Sequence, residues 1–165
     1  MVVDLKRYFL HDTPWEPMEV SLDLSDVTED GRAIFPQPVQ VAAQIRGFAG
    51  SAALKVQAEV VVEKPCDRCY EMTRNEYHQE FLHTLVQEFS GEEPDGDEYV
   101  LVPDAKLDLT QLLREDVLLD LPGKFLCRED CKGLCPKCGK NLNEGECGCE
   151  KREIDPRLAA LQELL

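Results

Sequence analysis

The chain has 165 residues, 43% hydrophobic and 31% charged, which suits one globular domain or one domain with a small appendage. No run approaches the ~20 apolar residues needed to span a bilayer, and the N-terminal stretch MVVDLKRYFLHDTPW lacks the apolar core and small-residue cleavage site of a secretory signal. A formal net charge of −15 argues against broad electrostatic binding to nucleic acid, because such a surface repels phosphate at long range. The expectation is a cytoplasmic protein without membrane association.

In chain order, residues 1–17 read as an irregular arm, interrupted by Pro14 and Pro17, with Tyr8 and Trp15 as anchors onto the body. Val20, Leu22 and Leu24 alternate with polar residues and predict a half-buried strand. A turn follows at Glu29, Asp30 and Gly31, then a loop bracketed by Pro36 and Pro38. Val39, Val41, Ala43 and Ile45 alternate along one strand, and Leu54, Val56, Ala58, Val60 and Val62 along the next. Gly47, Gly50 and Ser51 between them predict a hairpin with one apolar face. The second strand delivers Cys66 and Cys69 at its far end. From Glu71 to Phe89 the chain is again strand-like, with Tyr77, Phe81 and Leu85 on one face and Leu82 and Val86 on the other, although a helix fits the same spacing. Residues 90–97 form an acidic loop, and Tyr99–Val102 a short strand.

The period then changes. Asp108 is a plausible N-cap with Gln111 as its capping-box partner, and Leu109, Leu112, Leu113, Val117 and Leu121 follow at helical spacing until Pro122 and Gly123. A second short helix is expected from Asp155, with Pro156 at its first position and Leu158, Leu161 and Leu165 as its stripe. The fold class expected is α+β: an antiparallel β-sheet or partial barrel with one central helix and a zinc-bound C-terminal segment. Residues 1–123 would form the mainly antiparallel β body, with helix 108–121. Residues 124–165 would form a cysteine-rich zinc-binding segment and short helix packed on it.

The chemistry lies in eight cysteines in four close pairs: Cys66/Cys69, Cys127/Cys131, Cys135/Cys138 and Cys147/Cys149. In a reducing compartment clustered cysteines bind metal or do redox chemistry more often than they form disulfides. A tetrahedral zinc ion at ~2.3 Å from four thiolates takes two ligands from each of two segments, and CxxC supplies two from one turn. Cys135, Cys138, Cys147 and Cys149 close a loop of fifteen residues and form one expected site. That leaves Cys66, Cys69, Cys127 and Cys131, whose two pairs are separated by 57 residues, as a long-range staple. Cys131 and Cys135 lie close enough in sequence to exchange roles, so this partition stays open. A CxxC redox centre at Cys66 and Cys69 lacks a surrounding βαβ pattern, and an iron–sulfur cluster would also accept four thiolates. Two Zn²⁺ are the cofactors expected.

Nothing else suggests catalysis. His78 and His83 are five apart in a strand, hence on opposite faces, and His11 lies in the arm. Two sites filled by eight cysteines leave no open position for water or substrate, the structural rather than the catalytic pattern. No P-loop, GxGxxG or GxSxG is present. The chain therefore reads as a non-enzyme with no small-molecule substrate.

Cys66-Asp67-Arg68-Cys69, then Leu121-Pro122, CREDCKGLCPKCGKNLNEGECGC over 127–149 and DPRLAAL over 155–161, together resemble the YceD-like family of large ribosomal RNA subunit accumulation proteins. The stretch DCKGLCPKCGKNLN carries the resemblance most specifically. It implies an accessory factor needed for normal levels or processing of large-subunit ribosomal RNA, hence a part in ribosome biogenesis, and no known reaction. Charge limits how that part is played. Residues 1–123 hold 10 Lys/Arg against 25 Asp/Glu, whereas residues 124–152 hold 7 against 5. Direct RNA contact would fall to Lys124, Arg128, Lys132, Lys137, Lys140, Lys151 and Arg152, which otherwise offset thiolate charge. The alternative is an acidic adaptor or chaperone that docks a basic ribosomal protein without touching RNA.

Overall fold

A computed structural model describes residues 1–88 and 99–149. In chain order its elements are β1 (Val2–Asp4), α1 (Lys6–Leu10), β2 (Glu16–Leu22), β3 (Thr28–Glu29), β4 (Arg32–Ala33), β5 (Val39–Phe48), β6 (Ser51–Pro65), β7 (Met72–Val86), β8 (Tyr99–Leu101), β9 (Lys106–Asp108) and α2 (Leu109–Leu119). The loop 90–97 and the helix expected from Asp155 lie outside the described residues.

Five strands form the main sheet in the order β2-β5-β6-β7-β8. The strict alternation of β5 and β6 sets its register: Val41 pairs with Ala58, Ala43 with Val56 and Ile45 with Leu54, all facing inward. β6 and β7 run fifteen residues each and pair along their whole length, from Ser51↔Val86 to Pro65↔Met72. The segment that periodicity left between helix and strand is thus a strand, because β6 offers a full-length partner. β8 joins β7 in parallel, so the sheet is mixed rather than purely antiparallel. It is also open. A barrel closes only where its edge strands pair, and β8 is three residues long and, among the described residues, pairs with β7 alone.

One face of this sheet is covered and the other is wet. α2 lies across the covered face, where Leu109, Leu113 and Val117 join the inward residues of β2, β5 and β6 in one core. Asp108 caps it, its side chain accepting from the Gln111 N–H at 3.3 Å. No reciprocal bond from the Asp108 N–H to the Gln111 side chain forms among the described residues; the Gln111 amide nitrogen donates instead to Glu115 one turn on. Gln79 donates to the Val117 carbonyl at 3.3 Å, and His83 Nε2 lies 2.9 Å from Asp116 Oδ2, so β7 grips the end of this helix with polar groups. His78 faces solvent and His83 the core, as alternation requires.

The N-terminal arm departs from expectation. It is ordered as β1, which pairs with β9, and as α1, which buries Tyr8 and Phe9 beside a fully buried Leu5. Trp15 is no anchor, being 41% exposed. β2 starts at Glu16 and includes Pro17, which an edge strand tolerates because the missing N–H costs no ladder bond on its open side. Gly47 belongs to β5 and not to the turn, which is Ala49-Gly50 alone. Its reason for being glycine is close approach: a Cβ there would lie 2.4 Å from the Tyr8 carbonyl oxygen.

Candidate metal centres

Two CxxC turns share one backbone geometry. In the first, at the end of β6, the Tyr70 N–H donates to the Cys66 carbonyl at 2.9 Å and the Cys66 N–H to the Glu71 carbonyl at 2.8 Å. In the second, the Gly139 N–H donates to the Cys135 carbonyl at 2.8 Å and the Cys135 N–H to the Lys140 carbonyl at 2.8 Å. The residue after the second cysteine is left-handed in both, Tyr70 at φ 65° and Gly139 at φ 74°. This turn aims backbone N–H groups at the first sulfur of each pair, so that the Arg68 N–H lies 3.5 Å from Cys66 Sγ.

The chain folds the four pairs into two clusters. Cys66, Cys69, Cys127 and Cys131 form one and Cys135, Cys138, Cys147 and Cys149 the other, with the sulfurs of each within 4.8 Å of one another. Within the first, Cys66 Sγ is 3.8 Å from Cys131 Sγ and Cys69 Sγ is 3.6 Å from Cys127 Sγ. A tetrahedron with metal–sulfur bonds of ~2.3 Å has edges of about 3.8 Å, so this spacing fits a single four-thiolate ion. Cys66, Cys69 and Cys131 are buried, whereas in the second cluster only Cys135 is.

The ionisation of these thiols argues the same way. Burial disfavours the Cys66 thiolate, but the N–H groups of Cys69, Arg68 and Cys127 outweigh it and hold this thiol at about 6. The Cys138 and Lys137 N–H groups hold Cys135 at about 6. Their neighbours are pushed the other way. Burial and the adjacent sulfurs raise Cys127 to about 12, and Cys138 and Cys147 raise Cys149 to about 12. Four thiolates this close repel one another, so each cluster alone ionises only in part. A dication among them removes that obstacle. The donor set therefore fits a soft or borderline divalent metal.

The first cluster is fastened to the sheet and to the segment after α2. Asp67 Oδ2 accepts from the Phe125 N–H at 2.7 Å, and the Asp67 N–H donates to the Phe125 carbonyl at 2.9 Å. Lys64, nearly buried, pairs with Glu29 at 2.6 Å and sits 4.5 Å over the Phe125 ring. Arg68 Nη1 donates to the Cys131 carbonyl at 2.8 Å. Gly133, at φ 73°, packs so near this turn that a Cβ would meet the Arg68 carbonyl oxygen at 3.0 Å.

A family model described as large ribosomal RNA subunit accumulation protein YceD matches residues 54–165, which includes all eight cysteines. The chain belongs to the YceD family. Among curated proteins, it is 33% identical to an uncharacterized protein of Mycobacterium tuberculosis, over 100% of this chain and 81% of that one. It is 29% identical to the Bacillus subtilis protein YlbN, over 96% and 94%. It is 26% identical to the chloroplastic large ribosomal RNA subunit accumulation protein YCED homolog 1 of Arabidopsis thaliana, over 72% of this chain and 46% of the plant protein. No solved structure matches.

In this YceD-family chain two basic residues of the cysteine-rich segment, Lys132 and Lys137, line one hollow beside the second cluster, and Lys124, Arg128 and Lys140 do not line it. Lys124, Arg128, Lys132, Lys137 and Lys140 are all exposed. Arg128 pairs with Asp130 at 3.3 Å and Lys140 donates to the Glu146 carbonyl at 3.1 Å. Lys124, Lys132 and Lys137 form no ion pair among the described residues, and Lys151 and Arg152 lie outside them. Sequence reasoning passed over Lys64, Arg68, Asn141 and Asn143. Only tertiary contact marks them, since none stands at a ligand spacing.

Proposed function

We propose that this protein is a non-enzymatic accessory factor that supports accumulation or processing of large-subunit ribosomal RNA by binding, with two zinc ions as its structural metals. Its family carries that role in its name, and a chloroplastic relative is named for it. The observation that carries the non-catalytic part is the closure of both clusters: each gathers four cysteine sulfurs, so a tetrahedral ion in it has no open position for water or substrate. Zinc suits eight free thiols in a reducing compartment such as the cytosol. No helix among the described residues is long and apolar enough to cross a membrane.

Where this protein touches RNA directly, the basic residues around the second cluster make the contact. Lys132 and Lys137 line an 800 Å³ hollow there with Cys135, Pro136 and Leu142. A second reading has its own support. The solvent face of the sheet holds a 580 Å³ hollow lined by Glu19, Glu59, Glu80, Gln40, Gln57 and His78. None of the three carboxylates has an ion-pair partner among the described residues, which favours docking of a basic ribosomal protein. Crosslinking in cells, read for both RNA and protein, tests the two. The first predicts enrichment of large-subunit RNA that is lost on Lys132→Glu/Lys137→Glu. Enrichment of a basic protein alone, lost on Glu19→Lys/Glu80→Lys, would instead favour the adaptor.

A further inference from the structure

We infer that the two cysteine clusters are coupled, with the loop of the second holding hydrogen bonds on a thiolate of the first, so that metal in the second tightens metal in the first. The inference rests on the reading of both clusters as zinc sites.

The loop is Asn141-Leu142-Asn143, midway between Cys138 and Cys147. It faces the first cluster. Asn143 Nδ2 donates to Cys131 Sγ at 3.3 Å, while Asn143 Oδ1 accepts from the Lys132 N–H at 2.8 Å. These two contacts fix the orientation of the amide, nitrogen toward sulfur and oxygen toward backbone. Asn141 Nδ2 donates to Glu71 Oε1 at 2.9 Å, and the Cys66 N–H donates to the Glu71 carbonyl. Asn141 Oδ1 accepts from the Asn143 N–H at 3.0 Å, locking the two asparagines together. The Leu142 N–H donates to the Gly133 carbonyl at 2.9 Å, two residues past Cys131. Asn143 is thus a positioning residue for a ligand of a site to which its own loop supplies no ligand.

The coupling follows from which atoms pin this loop. Both of its ends, at Cys138 and Cys147, are held by one ion when the second cluster is filled. Without that ion the loop gains freedom, and the entropy of placing Asn143 on Cys131 falls on the loop's own hydrogen bonds to Glu71, Gly133, Lys132 and Cys131. A donor on a thiolate stabilises its charge, and outer partners of a metal ligand change affinity by 10–100-fold when removed. Linkage makes the effect mutual: the first site, filled, presents Cys131 as a firm acceptor and helps close the second.

The test uses the full chain and two probes, Zn²⁺ in competition with a chromophoric chelator and Co²⁺ read by its thiolate charge-transfer absorption. The Cys147→Ser/Cys149→Ser variant isolates the first site. It should bind one metal about 10-fold more weakly than the tighter site of the unmodified chain. Asn143→Ala keeps all eight ligands and should weaken the first site by a similar factor. It should also shift the Co²⁺ charge-transfer band to longer wavelength, as a thiolate that loses a donor becomes easier to oxidise. Combining the variants should add nothing further, since both act through the seating of Asn143 on Cys131. Undiminished affinity in the site-isolating variant, or effects that multiply on combination, overturns the coupling while leaving two zinc sites standing. An unmodified chain that takes up neither metal overturns the zinc reading and the coupling together.

Discussion

At the scale of single residues, the two CxxC turns are a matched pair with one mismatch. Both place a left-handed residue after the second cysteine, and glycine accepts that conformation at no steric cost. The first turn has Tyr70 there, 66% exposed, with its hydroxyl donating to Asp30 at 2.8 Å. Replacing Tyr70 by Gly and by Ala removes the same ring and hydroxyl, and only Ala keeps a Cβ. Tyr70→Gly should therefore be more stable than Tyr70→Ala by about 1 kcal/mol in zinc-saturated melts. An equal pair of melting curves would show that the turn relaxes. The cysteines themselves are not equivalent either. Cys66 is fully buried at the end of β6 and belongs to the cluster that ties the sheet to the segment after α2. Cys66→Ser should lower stability by about 4 kcal/mol or more, on the order of 10 °C in melting temperature. Cys149→Ser should leave the main transition in place and expose residues 132–147 to protease. Identical melts for the two would refute the division of labour between the clusters.

At the scale of elements, the strands were legible because alternation has only one physical meaning when one face is buried. Val39–Ile45 and Leu54–Val62 show it, and the structure pairs them in the register that buries Val39, Val41, Ala43 and Ile45 against Leu54, Val56, Ala58, Val60 and Val62. The arm was not legible, because its elements are three and five residues long and rest on contacts with distant segments, β1 with β9 and α1 with β5 and β6. Pro17 looked like a breaker because sequence does not say that its strand is an edge. Gly47 looked like a turn residue because sequence does not show α1 crossing over it. That crossing gives a direct test. Gly47→Ala must displace the Tyr8 and His11 carbonyls and should cost about 2–3 kcal/mol, read in denaturant titration; an unchanged midpoint would show that the arm shifts at no cost. The polar grip of β7 on α2 gives another. Asp116→Ala leaves His83 buried without its partner and should destabilise by about 2 kcal/mol, whereas Asp116→Asn should recover most of that.

At the scale of the whole molecule, zinc in the two clusters is expected to decide whether residues 124–149 hold their fold. Structural zinc contributes roughly 10–16 kcal/mol in apparent free energy, against about 5–15 kcal/mol for a whole domain. A strong chelator under reducing conditions should abolish amide-exchange protection over residues 124–149 and weaken it at the Cys66 end of β6. Elemental analysis should return two zinc per chain, and one zinc or iron would sink the two-zinc model. The sign with pH follows from proton competition. Binding requires four thiolates, and thiols raised to about 12 carry protons at neutral pH that the ion must displace. Zinc affinity should therefore fall as pH falls, with no plateau around neutrality. Profiles flat between pH 6 and 8 would contradict four-thiolate ligation.

What the sequence determined by itself was chemistry and local period: eight cysteines in pairs at ligand spacing, strands where polarity alternates, a capped helix, and motifs specific enough to name a family. Such signals survive without a fold because they depend on residues within one turn or one strand of each other. Tertiary structure decided the rest. It brought Cys66 and Cys69 to Cys127 and Cys131 across 57 intervening residues, a juxtaposition that spacing alone left open. It kept the sheet open, set β8 parallel, and placed Asn143 against a sulfur of the other cluster. These are contacts between distant segments. Loop closure and packing against a shared core select them, and no local pattern encodes which segments will meet.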